Sequence, residues 1–322
     1  MSIQKVIDCI NRNKKFLITS HQNLEGDALG SEIAFYRLLK KKGKSVLIVN
    51  QDPTSEEYTF LKDTKAISRY RPKMKVDFDV LVLLDCSDKS RPGKVYDLVS
   101  PGKTVLNIDH HISNTKFGEV NWVLSDASSV AEMVYRLYKA MRVKIDLDSA
   151  RALYTGILTD TGSFRYINTS SFTHQMAAEL MKHKLDILEI YRNIYESVSY
   201  SDMFLLSKIL LRLEKDASGK IIIFQIRSNF LRQKKASFDL TENILNFGRL
   251  IRGCQACVLF REQVSKPGQI RVNFRSQGKV DVNRIAKFFG GGGHKTASGC
   301  TIIGSLKQAR KMVVSKIKEQ LK

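Results

Sequence analysis

Four apolar runs in the first half of the chain each end in polar residues that include a carboxylate. Three of them predict buried strands: residues 15–20, 79–84 and 104–108. The fourth run, 152–158, fits either a strand or a helix. Amphipathic helical patterns alternate with these runs at residues 28–42, 129–141 and 171–185. This order predicts an α/β fold with a doubly wound, mainly parallel sheet through about residue 190.

The pattern changes after residue 190. Residues 191–215 predict a helical connector, and a second domain is expected over 216–322, beginning with the apolar run 219–224. At 322 residues the chain is long enough for two separate cores. We therefore expect a two-domain protein.

The polar groups that follow the apolar runs combine imidazoles with carboxylates. In chain order they are His21, Glu25, Asp27, Asp85, Asp109, His110, His111 and Asp160. Since the carboxyl ends of parallel strands meet at one edge of a sheet, these side chains are expected to converge. Carboxylates with a few imidazoles suit Mn²⁺ or Mg²⁺ better than a thiolate-bound Zn²⁺.

Each aspartate taken alone could be a helix N-cap or a turn residue. Two adjacent histidines leaving a buried strand are costly, however, unless their ring nitrogens are coordinated or hydrogen-bonded. Four such polar groups in one chain favour a site in which two metal ions activate a phosphoester for hydrolysis.

Composition narrows the class of protein only partly. The 43% share of hydrophobic residues indicates a globular chain, and 53 basic against 32 acidic residues give a formal charge of +21. That surplus could form a surface that attracts polyanions, or it could be scattered and solvated. Composition alone leaves both possibilities open.

The five cysteines and the apolar pattern favour a cytoplasmic protein that does not enter a membrane. No stretch approaches the roughly twenty apolar residues of a membrane helix, and the N-terminus starts an amphipathic segment rather than a secretion signal. Cys254 and Cys257 form a Cys-x-x-Cys pair without a second pair nearby, so we expect packed core thiols rather than a zinc or redox site.

With the Asp109-His110-His111 triplet, the later motifs Phe274-Arg275-Ser276 and 290–299 complete a family pattern. The chain resembles the DHH phosphoesterases with their companion DHHA1 domain, and the resemblance spans nearly the whole length. Within the family it is similar to bacterial oligoribonucleases that also act as 3′-phosphoadenosine-5′-phosphate phosphatases, some of which cleave cyclic-di-AMP or its linear product. The resemblance implies a catalytic DHH domain over 1–190 and a substrate-binding DHHA1 domain over 216–322.

The resemblance also implies two Mn²⁺ ions, with Mg²⁺ as the other candidate metal. The first ion would be held by His21, Glu25 and Asp85, and the second by Asp27, Asp85, His110 and Asp160. His111 would face the scissile phosphate, and Asp109 would orient a histidine.

One position departs from the family pattern, which usually has Pro-Asp where this chain has Leu24-Glu25. Glutamate keeps the charge but adds a methylene, and Leu24 removes the φ restraint of proline. We expect Glu25 to remain a metal ligand and activity to be retained.

Substrate binding is assigned to the second domain. Arg275 can offer a planar fork to a phosphate, and the backbone N–H groups of Gly291, Gly292 and Gly293 beside His294 are predicted to form an anion nest. By resemblance these groups grip the nucleotide end that is not cut, in a cleft between the domains. Arg165 either contacts a phosphate or is a solvated surface arginine, and the glycine run alone could be a flexible turn.

The function expected is therefore metal-dependent hydrolysis of short RNA or a nucleotide. Two other classes stay open: an inorganic pyrophosphatase, which shares the first-domain ligands, and a catalytically silent nucleotide-binding protein. A homodimer also stays open.

Overall fold

The structure is a computed structural model that describes residues 2–229 and 241–321, and the chain divides into two units. The first unit is Met1–Ser197 and the second is Val198–Lys322. The boundary thus falls within the segment predicted to be a connector. No helix among the described residues is both long enough and apolar enough to cross a bilayer.

Among the described residues, the first unit contains six strands and six α-helices. The strands are Lys15–Thr19 (β1), Ser45–Asn50 (β2), Ile67–Arg69 (β3), Val80–Leu84 (β4), Thr104–Asp109 (β5) and Val120–Val123 (β6). The helices are Ile3–Arg12 (α1), Gly26–Lys41 (α2), Val130–Ala140 (α3), Leu147–Asp160 (α4), Ser171–Met181 (α5) and Ile187–Tyr195 (α6).

All neighbouring strands of this first sheet are parallel, in the order β3-β2-β1-β4-β5-β6. The predicted α/β fold class is confirmed. Chain order reverses between β1 and β4, which pair in register from Phe16 with Val80 to Thr19 with Leu83. The loops after these two strands therefore leave the sheet side by side, at the switch point where ligands bind in such sheets.

Every residue of β4 is buried, as expected for a central parallel strand covered on both faces. One face packs against the α-helices, and the other packs against segments that include a 3₁₀-helix, Gly93–Leu98.

The fourth apolar run is a helix rather than a strand. Asp146 starts α4 by accepting a hydrogen bond from the Ser149 N–H. Helix α4 then packs closely on α2, because Gly30 has no side chain to strike the Ala152 carbonyl: a Cβ there would lie 2.4 Å from that oxygen. This close approach brings the first turn of α2, with Asp27, near the end of α4, with Asp160.

The second unit contains a mixed sheet and four described helices. Its strands are Glu214–Lys215 (β7), Ile221–Ile226 (β8), Ala256–Glu262 (β9), Gln269–Ser276 (β10), Gly292–Gly293 (β11) and Ala297–Ile303 (β12). Its helices are Tyr200–Leu210 (α7), Thr241–Arg249 (α8), Val282–Phe288 (α9) and Leu306–Leu321 (α10).

Strand order in the second sheet is β11-β12-β10-β9-β8-β7, with only β8 and β9 parallel among the described pairs. The helix predicted as part of a connector, α7, belongs to this unit's core, where Leu205 and Ile209 pack beside β8 and β9. Cys254 and Cys257 are buried free thiols in the same cluster, so their predicted packing role is confirmed.

Candidate active site

His21 lies directly after β1 and is almost completely buried. Its Nδ1 donates to the Gln22 carbonyl oxygen at 2.7 Å, and its Nε2 lies 3.2 Å from Asp85 Oδ2. Burial lowers the pKa of His21, but the hydrogen bond to Asp85 and the negative charges of Asp85 and Glu25 together raise this pKa above its usual value. A backbone acceptor on Nδ1 fixes the ring and directs Nε2 toward a metal position, as is typical of metal-binding histidines.

Asp85 occupies the centre of the polar group. It follows β4 in a left-handed conformation, with φ of 59°, and its N–H donates to the Ile108 carbonyl of β5. Although burial raises the pKa of Asp85, the bond to His21 and the charges of His111 and His110 hold it well below the usual range.

The second carboxylate oxygen of Asp85 provides a test of whether a cation fits. Oδ1 is buried without a hydrogen-bond partner among the described residues, while His111 Nδ1 lies 3.3 Å away and His110 Nε2 3.6 Å away. Leaving a buried anionic oxygen unsatisfied is costly, and a divalent cation would remove that cost. The residues present therefore fit a metal ion.

His110 lies close to Asp27, in the first turn of α2, and to Asp160, at the C-terminal end of α4. Its Nδ1 donates to the Ala127 carbonyl at 3.1 Å, and its Nε2 lies 3.5 Å from Asp160 Oδ2. Asp27, His110 and Asp160 each place one ligand atom within 4.8 Å of the other two. Burial, with the charge of Asp85 nearby, raises the pKa of Asp160 to about 6. A cluster whose carboxylates repel each other in this way is stabilised by a bound cation.

Asp27 has a second role that the sequence did not indicate. Its two carboxylate oxygens accept hydrogen bonds from the N–H groups of Val130 and Ala131, at 2.7 and 2.8 Å. Those N–H groups belong to the first turn of α3, where the helix dipole also favours a negative charge. Burial and the charges of Asp85 and Asp160 nevertheless raise the pKa of Asp27 well above its usual value.

Asp109 and His111 form a pair at the end of β5. Asp109 is fully buried and its Oδ1 accepts from His111 Nδ1 at 2.8 Å, while its Oδ2 accepts from Asn114 Nδ2 at 2.6 Å. The Asn114 amide also donates to Asn107 Oδ1 at 2.8 Å. Sequence reasoning missed Asn114; its position five residues after Asp109 in a polar turn is a weak indication that becomes clear only in the structure. Asp85 also lies near this pair, since Asp85, Asp109 and His111 place ligand atoms within 4.8 Å of one another.

Glu25 is exposed and occupies the N-cap position of α2, without a capping hydrogen bond from its side chain. It lies outside the two ligand clusters of the described first unit, although its charge contributes to raising the pKa of His21. Leu24, which stands where the family usually has proline, is buried in the core of the first unit.

Arg165 follows a left-handed turn after Asp160. Gly162, Ser163 and Phe164 all have positive φ values, between 54° and 62°, and Arg165 Nε donates to the Gly162 carbonyl at 2.7 Å. Two non-glycine residues in this conformation represent stored backbone strain, which is typical of functional sites.

In the second unit, the glycine run differs from its predicted form. The N–H groups of Gly290, Gly291 and His294 donate to backbone carbonyls, and Gly292–Gly293 pairs with β12. The predicted nest of open N–H groups is therefore wrong at Gly291, whose N–H donates to the Ala286 carbonyl. Gly291 instead allows close strand approach, since a Cβ there would lie 2.2 Å from the Gly299 carbonyl.

Arg275 lies on β10, opposite Cys257 of β9 and Ala297 of β12. Its Nη1 donates to the Phe274 carbonyl at 3.1 Å. Alternate residues of β10 are buried, and Arg275 belongs to the less buried set.

The net positive charge of the chain is concentrated in the second unit. Val198–Lys322 contains 24 lysines and arginines and 8 acidic residues, so it contributes +16 of the total +21. An even scatter of solvated lysines does not explain this asymmetry, which favours an anionic ligand for the second unit.

Comparison with known families agrees with this division. The DHH family N-terminal domain matches residues 15–157, and the DHHA1 domain matches residues 211–322. The bifunctional oligoribonuclease and PAP phosphatase NrnA of Thermus thermophilus is 29% identical over 94% of this chain and 89% of its own length. The Bacillus subtilis protein of the same name is 27% identical over 92% of both chains. A crystal structure of an exopolyphosphatase-related protein from Bacteroides fragilis superposes with a TM-score of 0.87 at 26% identity, covering 98% of this chain and 95% of that one.

Proposed function

We propose that the chain hydrolyses short oligoribonucleotides and 3′-phosphoadenosine-5′-phosphate with two Mn²⁺ ions. The reason is that it belongs to the DHH–DHHA1 family of phosphoesterases. The unsatisfied Oδ1 of Asp85, buried among imidazoles, is the observation that carries this proposal. The names of the relatives supply the substrates to be tested.

The ligand sets are proposed as the family resemblance implies them. His21, Glu25 and Asp85 would hold one ion, and Asp27, Asp85, His110 and Asp160 the other. Bound ions would polarise the phosphoryl oxygens and favour the ionised form of the attacking water.

The protein side chains fix the geometry of the reaction. Since Asp109 accepts from Nδ1 of His111, the ring is held in one orientation and Nε2 is the atom that can donate to a phosphoryl oxygen. His111 is partly exposed, whereas Asp109 behind it is fully buried. We assign His111 to the phosphate and Asp109 to the orientation of its ring.

The second unit is proposed to bind the nucleotide. Arg275 and His294, with Gly292 and Gly293 allowing close backbone approach, would recognise the phosphate and sugar that are not cut. Arg165 is proposed to contact a phosphate near Asp160. The surplus positive charge of the second unit would attract the anionic substrate.

Substrate class is tested with the purified protein and Mn²⁺ against a parallel panel. The panel holds 3′-phosphoadenosine-5′-phosphate, di- to pentaribonucleotides, cyclic dinucleotides and pyrophosphate. Turnover of the first two groups supports the proposal. Pyrophosphate as the only substrate would identify a pyrophosphatase, and tight nucleotide binding without turnover would identify a binding protein.

Substitutions in the second unit separate recognition from chemistry. Arg275→Ala and His294→Ala are each expected to weaken transition-state binding of short nucleotides by about 1.5–3 kcal/mol, the usual worth of a hydrogen bond to a charged group. Manganese stoichiometry should stay that of the parent protein. Arg284→Ala, which removes an exposed arginine from α9, is the control and should keep kcat/KM. Loss of manganese from either variant would show that the residue belongs to the metal site.

Glu25 is tested by changing its length and its charge separately. Glu25→Asp keeps the anionic oxygens and should preserve or strengthen binding of the first ion, whereas Glu25→Ala should weaken that binding sharply. Calorimetric Mn²⁺ titration accompanies the rate measurements, because slow product release can hide a change in the chemical step. Glu56→Ala, at an exposed position outside the proposed ligand set, is the control. Two ions bound by Glu25→Ala as tightly as by the parent would remove Glu25 from the ligand set.

A further inference from the structure

Two buried polar side chains in the first unit have no role in the proposed hydrolysis. Glu32 lies on α2 and Asn50 ends β2, and at most 1% of either residue is exposed. Asn50 Nδ2 donates to Glu32 Oε2 at 2.8 Å. Neither residue belongs to the proposed ligand set.

The other end of the Asn50 amide reaches the segment that carries His21. Asn50 Oδ1 accepts from Thr19 Oγ1 at 3.1 Å and from the Ser20 N–H at 3.3 Å. Ser20 in turn donates through Oγ to the Leu84 carbonyl at 2.6 Å. Ser20 precedes His21, and Leu84 precedes Asp85. These hydrogen bonds therefore connect the two backbone segments that carry these proposed metal ligands.

The orientation of the Asn50 amide decides whether this connection holds. Glu32 Oε2 accepts from Nδ2, while the Thr19 hydroxyl and the Ser20 N–H donate to Oδ1, so the two sides together fix the amide with Nδ2 toward Glu32. The reverse orientation would set the Nδ2 hydrogens against the Ser20 N–H and break two buried hydrogen bonds.

We infer that Glu32 is a positioning residue that, through the amide of Asn50, fixes the Thr19–Ser20 segment and thereby aims His21 at the first metal ion. The inference rests on the proposed role of His21 as a ligand. Groups behind metal ligands commonly change metal affinity when they are altered, although they do not touch the ion.

Stability alone does not account for a carboxyl group at this place. Glu32 Oε1 is buried without a hydrogen-bond partner among the residues described, and burial raises the pKa of Glu32 to about 8. An apolar side chain at position 32, with one at 50, would fill the space without the cost of burying these polar groups. The polar pair instead supplies a fixed acceptor for the chain beside His21.

A compensating pair of substitutions tests the inference. Measured at alkaline pH, where both carboxyl groups are ionised, Asn50→Asp sets two negative charges against each other and should lower both Mn²⁺ affinity at the first site and kcat/KM by about 10–100-fold. Adding Glu32→Gln reverses the polarity of the bond: the glutamine amide donates to the new carboxylate, which still accepts from Thr19 and Ser20. The double variant should therefore return to within about threefold of the parent, on the same general scale of effects behind a metal ligand.

Binding and stability are measured separately. Mn²⁺ affinity comes from calorimetric titration of fully folded protein, and the free energy of unfolding comes from urea denaturation without metal. Lower affinity in Asn50→Asp, recovered in the double variant, supports the inference. A change in unfolding free energy with unchanged Mn²⁺ affinity would overturn it.

Two further variants keep the test decisive if Asn50→Asp does not fold. Glu32→Gln keeps an acceptor for Asn50 and should bind Mn²⁺ as the parent does, whereas Glu32→Leu should weaken binding; equal affinities in the two would overturn the inference.

His21→Ala tests the underlying ligand assignment, because unchanged Mn²⁺ binding in that variant rejects the role of His21. Weaker binding in His21→Ala with no effect of Asn50→Asp rejects only the positioning role.

Discussion

Asp85→Ala is expected to abolish phosphoester hydrolysis and to weaken binding of both Mn²⁺ ions. Asp85 lies within 3.6 Å of His21, His110 and His111, and it is the residue proposed to serve both ions. Without its carboxylate the two cations lose their shared anion and repel each other with less compensation. We expect kcat/KM to fall by more than the roughly 10–100-fold that loss of a group behind the ligands costs.

The measurement pairs steady-state rates with Mn²⁺ stoichiometry on folded protein. Asp88→Ala is the matched control, since Asp88 lies in the same loop but accepts hydrogen bonds from the N–H and Oγ of Ser90. It should change the rate little. A folded Asp85→Ala protein that keeps most of its Mn²⁺-dependent rate would contradict the two-metal assignment.

The sequence was sufficient to predict the parallel sheet because its central strands are buried on both faces. Such strands have continuous apolar sequences, and the polar residues that follow them lie together at one edge of the sheet. Val80–Leu84 followed by Asp85 is the clearest instance. The neighbouring strand β5 ends at Asp109, the first residue of the Asp109-His110-His111 triplet.

The parts that the sequence did not determine depend on contacts between distant segments. Asp160 comes from the end of a helix, whose nearness to Asp27 depends on the packing of Gly30 against α4. Likewise, the N–H groups of Gly290 and Gly291 donate to backbone acceptors that no local pattern identifies. Periodicity describes which face of an element is apolar, but it does not tell which partner that face will meet.

Asp27→Asn is expected to impair the protein twice, by loss of metal binding and by loss of stability even without metal. Both oxygens of Asp27 accept N–H groups from the first turn of α3. An asparagine keeps one acceptor and presents an amide NH₂ to the other N–H. At a pH where Asp27 is ionised, the loss of a buried hydrogen bond to a charged acceptor should lower the free energy of unfolding by about 1.5–3 kcal/mol.

Asp160→Asn separates this structural effect from electrostatics, because it removes one negative charge from the same cluster. Burial and the charge of Asp85 raise the pKa of Asp160, so removing the charge of Asp160 relieves repulsion in the metal-free protein. Removing the charge of Asp27 relieves repulsion in the same way. Asp160, however, receives no N–H from α3 among the described contacts; its closest amide donor, Asn168 Nδ2, lies 3.5 Å from Oδ2. In urea denaturation with a chelator present, at a pH above the raised pKa of Asp27, Asp27→Asn should therefore be the less stable variant by about the value of the lost hydrogen bond. Equal unfolding free energies in the two variants would mean that Asp27 contributes nothing to α3, and that its carboxylate serves the metal alone.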